Sequence, residues 1–300
     1  MNTAVTFDLR SWNAARLAEV EAALSHWVAE DAPEGLSDAM RYAVLDGGKR
    51  LRPLLVLAAC EAVQGNAEAA LRAACSVELI HAYSLVHDDM PCMDNDVLRR
   101  GKPTVHVQFG EARALLAGDA LQALAFELLT PEGADVPPAM QAELCRMLPR
   151  AAGAQGMAGG QAIDLASVGK PLSETELRGM HDRKTGALLQ ASVRMGAACG
   201  SAVTPAARAA LDDYGAVIGL AFQVVDDILD VTADSAELGK TAGKDAAADK
   251  PTYVSLLGLP AAQALADALC SRAHAALDAS GLPGVERLRA LADLVVKRRN

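Results

Sequence analysis

Apolar positions along this chain recur at steps of three and four through alanine-rich stretches with few β-branched runs, a spacing that predicts α-helix almost throughout and no strand. Thr204 followed by Pro205 is an N-cap with proline at the first helical position. The helix it opens is expected to reach about Val231, with Leu211, Tyr214, Ile218, Phe222, Val225 and Leu229 on one stripe. Residues 71–89 read as a second long helix that Pro91 must end. Ser173 with Glu176 forms a capping box that starts another. The segments "TPEGADVPP" and "SVGKPLS" read as loops. About ten helices with no linker between them predict an all-α fold: one large single-domain bundle over residues 1–300.

Composition narrows the function. Three hundred residues at 51% hydrophobic content can bury a sizeable core. The N-terminus lacks the basic start and apolar run of a signal peptide, and no apolar run looks long enough for stable membrane insertion. Six scattered cysteines without a C-x-x-C pair, five of them in apolar helix-like surroundings, read as reduced thiols in a cytoplasmic protein. A net charge of −10 and 3% aromatic content exclude a nucleic-acid binder. Basic clusters do interrupt the acidity, at "GGKRLRP", "LRRGKP", "HDRKTG" and "LGKTAGKD", and these suit a small anion.

The acidic residues say which anion. "HDDMPCMDND" places Asp88, Asp89, Asp94 and Asp96 within ten residues, and "FQVVDDILD" adds Asp226, Asp227 and Asp230 near the end of the second acidic helix. Helical spacing puts His81, Ser84, Leu85 and Asp88 on one face, and Asp226 and Asp230 on another with Gly219, Phe222 and Gln223. Such carboxylates repel one another and oppose the helix dipole unless a cation lies among them. Oxygen ligands without Cys or His pairs suit a hard ion, Mg²⁺ above all, which completes its shell with waters and phosphate oxygens. A Mg-bound diphosphate is the expected ligand. The pair Asp212–Asp213 reads instead as an ordinary solvated helix end. The G-K-T of "LGKTAGK" is not a phosphate loop, because Asp234 stands where the first glycine is required.

These blocks resemble the short-chain trans-prenyl diphosphate synthase family, most closely the bacterial members that make farnesyl diphosphate. "DDMPCMD" and "DDILD" are similar to its two aspartate-rich motifs. "GGKRLRP", "ELIHAYSLVHDD", "LRRGKPTVH", "GGQAIDL", "HDRKTGALL", "AFQVVDD" and "GKTAGKDAAADKPTY" follow in the family's order across residues 40–257, with weaker similarity at "KRRN". The resemblance implies a helical bundle around a central cavity, a homodimer, and condensation of isopentenyl diphosphate with an allylic diphosphate. It implies three Mg²⁺ ions per active site, with Mn²⁺ as a substitute, held by Asp88, Asp94 and Asp226 and steadied from behind by Asp89 and Asp230. Gly48, Lys49, Arg52, His81 and Arg100 would take isopentenyl diphosphate. Arg99, Lys184, Thr185, Gln223, Lys240 and Lys250 would take the allylic diphosphate, and Lys184, Arg99 and Gln223 are the residues implied in catalysis. Arg50, between two of these ligands, reads as structural, and Gly159–Gly160 as a close packing point that turns Gln161 and Asp164 to the cavity.

Tyr83 and Ser84, five and four positions before the first aspartate, are implied as the cavity floor that stops growth at farnesyl diphosphate. Tyr83 is about 140° around the helix from Asp88, so it must reach in from the flank or the helix must bend. Geranylgeranyl or geranyl diphosphate synthesis is the alternative. A class I terpene cyclase and a non-catalytic regulatory subunit are remoter, since both aspartate motifs and the full basic set are present.

Overall fold

The structure is a computed structural model that describes residues 7–45, 47–170, 172–232 and 252–298. Its first long helix, α1 (Leu9–Trp27), is capped by Asp8, whose carboxylate accepts from the Arg10 amide at 3.0 Å. A short helix α2 (Leu36–Val44) leads into the glycine-rich loop, and α3 (Leu51–Ala62) leaves it. Asn66 caps α4 (Ala67–Asp88) by accepting from the Ala69 amide at 2.8 Å. There follow α5 (Val105–Phe109), α6 (Glu111–Glu127), α7 (Pro138–Ala152) and α8 (Met157–Ser167). Next come α9 (Glu174–His181), α10 (Ala187–Ala198) and the long α11 (Pro205–Thr232). The described chain ends with α12 (Tyr253–Leu257), α13 (Leu259–Ala279) and α14 (Glu286–Lys297). The fold is all-α, as the periodicity predicts.

The cap at Thr204 accepts as expected, taking the Ala207 amide at 3.2 Å, and the Ser173–Glu176 capping box is complete. Two local expectations are corrected. Strand is not wholly absent, because Leu98–Arg99 (β1) and Lys102–Pro103 (β2) pair antiparallel across Arg100 and Gly101, both at positive φ (53° and 77°), the conformation a tight hairpin demands. Asp212 and Asp213 lie two turns inside α11, not at a solvated end; Asp212 takes Arg194 and the Gln190 amide, and Asp213 takes Arg272. Helix α4 is long and apolar enough, by length and hydropathy, to cross a membrane, although its sequence contains no unbroken apolar run; 67% of that stretch is buried inside the protein.

Two apolar clusters form the core. One gathers residues of α1, α2, α4, α6 and α7, the other residues of α11, α13 and α14. Helices α3 and α10 supply both: Val56, Leu57 and Cys60 face the first, and Leu54, Leu55, Ala58 and Ala59 the second. A helix buried all round cannot be amphipathic, which is why the α3 sequence "LRPLLVLAACEA" carries almost no polar face.

Arg50 fixes the start of α3. Its guanidinium donates to Glu21 (2.7 Å), to the buried Glu78 (2.7 Å) and to the Val44 carbonyl (2.6 Å), and its own φ is 45°. Removing one partner of a buried ion pair strands the other charge. Arg50→Ala should therefore lower unfolding free energy by about 3–5 kcal/mol, read from the urea midpoint. A loss below about 1 kcal/mol would show that Glu78 is satisfied without it.

Candidate active site

The C-terminal end of α4 carries the first acidic group. Backbone bonds fold the following loop back on the helix: the Asp94 amide donates to the Asp88 carbonyl at 2.8 Å and the Asp96 amide to the Asp89 carbonyl at 3.1 Å. Asp94 is thereby returned to the side of Asp88. Asp89 is buried and clamped by Arg99, with Nε 2.8 and 3.1 Å from its two oxygens and Nη2 at 2.5 Å. Asp88 has no such clamp, and its carboxyl is pushed up to about 6 by burial, then by Asp94 and Asp89, against the pull of Lys184 and Arg99.

The hairpin brings two basic clusters together. Arg99 faces the acids, while Arg100 turns the other way and donates to the Gly47 carbonyl at 2.6 Å. Gly48 has φ 139°, and a Cβ there would come within 2.9 Å of Arg100 Nη1, so only glycine lets the arginine lie against this loop. Lys49 beside it is pushed down by burial, by Arg298 and by Arg100, with Asp226 opposing. Arg52 has a buried Nε without a protein partner, and His81 is held far below its ordinary range by burial and then by Arg52, Arg100 and Arg99. His81 is thus a neutral imidazole in a ring of cations.

The second acidic group sits in the last two turns of α11. Asp227 is buried and structural: it takes the Tyr253 amide at 2.8 Å and the Gln223 amide at 2.8 Å, and Gln223 in turn accepts from Thr185 at 3.3 Å. Asp226 meets Arg298 at 3.2 Å, and that guanidinium lies 4.0 Å from the centre of the Phe222 ring. Asp230 is buried with Oδ1 lacking a hydrogen-bond partner. Arg298 is a contact the sequence reading did not assign, beyond noting a basic "KRRN" end; 72 residues separate it from Asp226.

Between the two groups runs a π-helical turn, Asp182–Gly186, a form common at functional sites because it spends backbone regularity on placing side chains. It presents Lys184, whose ammonium is 2.5 Å from the buried Asp164, and Thr185. Gly160 of α8 makes this possible, since a Cβ there would lie 2.1 Å from the Lys184 backbone nitrogen.

Arg52, His81, Asp88, Lys184 and Thr185 line one cavity of about 380 Å³ with Tyr83, Ser84, Met157, Gln161 and Leu165. Tyr83 reaches it from the flank of an unbroken α4, edge-on to His87 with ring centres 5.7 Å apart. Lys240 and Lys250 lie outside the described residues. All the candidate metal ligands are carboxylate oxygens. Their crowding, the raised Asp88 and the unpartnered Asp230 oxygen fit hard divalent cations.

Residues 33–279 match the polyprenyl synthetase family model. This chain belongs to the polyprenyl synthetase family. It is 46% identical over 266 residues to the farnesyl diphosphate synthase of Haemophilus influenzae, covering 88% of this chain and 89% of that one. It is likewise 46% identical over 297 residues to geranylgeranyl pyrophosphate synthase 7, chloroplastic, of Arabidopsis thaliana, covering 98% and 85%. The solved structure of an FPP/GFPP synthase from Zymomonas mobilis superposes with a TM-score of 0.84 at 42% identity, covering 96% of this chain and 98% of that one. Polyprenyl synthetases act on isopentenyl and allylic diphosphates and generally use a divalent metal.

His181, at the entrance to the π-helical turn, is buried against Tyr253 with both ring nitrogens unpartnered, and burial lowers it to about 4. The unfolded chain binds a proton there near 6.5, the folded chain only near 4, so stability is retained above 6.5 and lost as pH falls through that window. Between pH 7.5 and 5.5 the protein should lose about 1 kcal/mol more than His181→Phe does, measured by urea unfolding at both pH values. Equal losses would mean that His181 titrates normally.

Proposed function

We propose that this polyprenyl synthetase is a farnesyl diphosphate synthase, condensing isopentenyl diphosphate with dimethylallyl and then geranyl diphosphate. The observation that carries the reading is the single cavity in which Asp88, Lys184, Arg52 and His81 meet a wall formed by Tyr83 and Ser84. Phosphate-binding cations and a bulky apolar stop share one space, as chain elongation to a defined length requires.

Asp88, Asp94 and Asp226 would hold three Mg²⁺ ions, with Asp89 keeping Arg99 in place and Asp230 supporting Asp226 from one turn away. Bound there, the ions supply charge that stabilises the leaving diphosphate and favours C–O cleavage. Arg99, Lys184, Thr185 and Gln223 orient that diphosphate, and the chain Thr185–Gln223–Asp227–Tyr253 keeps the amide fixed. Lys49, Arg52, Arg100, the Gly48 backbone and the neutral His81, donating one N–H, hold isopentenyl diphosphate. The apolar walls Leu85, Met157 and Leu165 keep water from the allylic cation until the double bond attacks, and the lost proton leaves with the pyrophosphate. The six free cysteines fit a reducing, cytoplasmic setting. The exposed Val107, Leu115 and Leu116 fit a face covered by a second copy in a homodimer.

Incubating the purified protein with isopentenyl and geranyl diphosphates and Mg²⁺, then sizing the dephosphorylated products, tests the reading. Farnesol should dominate, and excess EDTA should abolish turnover. Geranylgeraniol as the main product would favour the activity named for the Arabidopsis relative, and no turnover with Mg²⁺ would dismiss both. Lys49→Ala removes a charge-assisted contact worth about 1.5–3 kcal/mol, so KM for isopentenyl diphosphate should rise about ten- to a hundredfold, whereas Lys184→Ala should impair the allylic side. A change confined to the allylic KM in Lys49→Ala would reverse the assignment. Tyr83→Ala opens the wall and should release products beyond fifteen carbons; an unchanged distribution would remove Tyr83 as the stop.

A further inference from the structure

The last two helices bring together three residues that the reaction does not use. Cys270 and His274 are one turn apart on α13, and Asp293 faces them from α14. The sulfur donates to Asp293 Oδ1 at 3.4 Å, His274 Nε2 lies 3.2 Å from the same oxygen, and sulfur and Nε2 are 3.9 Å apart. All three are partly buried.

We propose that Cys270, His274 and Asp293 form a binding site for a borderline transition-metal ion, Zn²⁺ by ligand type, separate from the carboxylate site. Bonds of about 2.3 Å to sulfur and about 2.0–2.2 Å to nitrogen and oxygen at tetrahedral angles would place the three atoms about 3.4–3.6 Å apart. The observed separations lie within a few tenths of an ångström of that triangle. A nucleophilic relay would need the carboxylate on the far nitrogen of the ring from the thiol. Here sulfur and carboxylate both face Nε2, so the atoms converge on a point instead of forming a chain. Thiolate with imidazole and one carboxylate prefers Zn²⁺ over Mg²⁺, the reverse of the all-oxygen set at the helix ends. The three residues lie on α13 and α14, and none of them lines the cavity that holds Asp88 and Lys184.

Three protein ligands leave a fourth position for water. The thiol is pushed up to about 11 by burial, then by the bond to Asp293, with Asp267 adding and Lys297 of α14 opposing. It keeps its proton at neutral pH, and ion binding must release that proton to solvent as the sulfur–metal bond forms. The bound ion would tie α14 to α13, and so fix the helix from whose end Arg298 reaches Asp226.

Co²⁺ is the probe, used with excess Mg²⁺ to occupy the carboxylate site, in full-length Cys92→Ala protein because Cys92 is exposed beside the first aspartates. A thiolate-to-cobalt charge-transfer band in the near ultraviolet should appear and saturate at one Co²⁺ per chain, with release of one proton. The band should be lost in Cys270→Ala and need about tenfold or more Co²⁺ in His274→Ala. Cys270→Ser, nearer in size, serves the same purpose where the alanine variant fails to keep its helical circular dichroism. No band in the Cys92→Ala protein, or a band that survives substitution of Cys270, would overturn the site.

Discussion

Crowding of carboxylates at two helix ends is the constraint around which the molecule is arranged. Left alone, these charges would repel one another and the carbonyl ends of their own helices. The structure answers each acid differently. Asp89 and Asp227 are buried and fully engaged, by Arg99 and by the Gln223 and Tyr253 amides. They act as internal anchors that hold other groups in place. Asp88 stays uneasy, with its carboxyl near 6 despite two nearby cations. That division between engaged and unengaged charge sorts a cluster of identical residues into scaffold and candidate ligand.

The cations obey a matching rule. Arg50 and Arg52 are separated by one residue, yet Arg50 is consumed by Glu21 and Glu78 while Arg52 keeps a buried nitrogen unsatisfied. Adjacent Arg99 and Arg100 diverge in the same way, one to an acid and the other to a glycine loop. Both splits depend on left-handed backbone, at Arg50 and at the Arg100–Gly101 turn. Local strain is therefore placed where neighbouring side chains must serve different sites.

Much of this was legible in the sequence. Periodicity gave the helices, Thr204–Pro205 and Ser173–Glu176 gave starts that hold in atomic detail, and the glycine pair before Gln161 marked a close approach. What escaped had no local signal. The hairpin turns on Arg-Gly, a pair far weaker as a turn marker than Asn-Gly. The π-helical turn packs closely on Gly160 of α8 and Gly219 of α11, and the Arg298–Asp226 contact joins residues 72 apart. Asp212 and Asp213 look like a helix end only until Arg194 and Arg272 arrive from other helices. Helical angles alone would have turned Tyr83 away from the cavity, but a long side chain on the flank spans the difference.

Helix α4 carries one further implication. Its Ala69, Ala70, Ala73, Val77 and Ile80 are locked in the core, whereas Tyr83, Ser84 and His87 border open space on the same rod. Packing tolerates little change on the first set and much on the second. Selection can thus rewrite the wall of the cavity without renegotiating the fold. On the proposed reading, in which Tyr83 and Ser84 stop the growing chain, single substitutions on this wall would change product length at little cost in stability, which accords with relatives of similar identity bearing names for different prenyl chains.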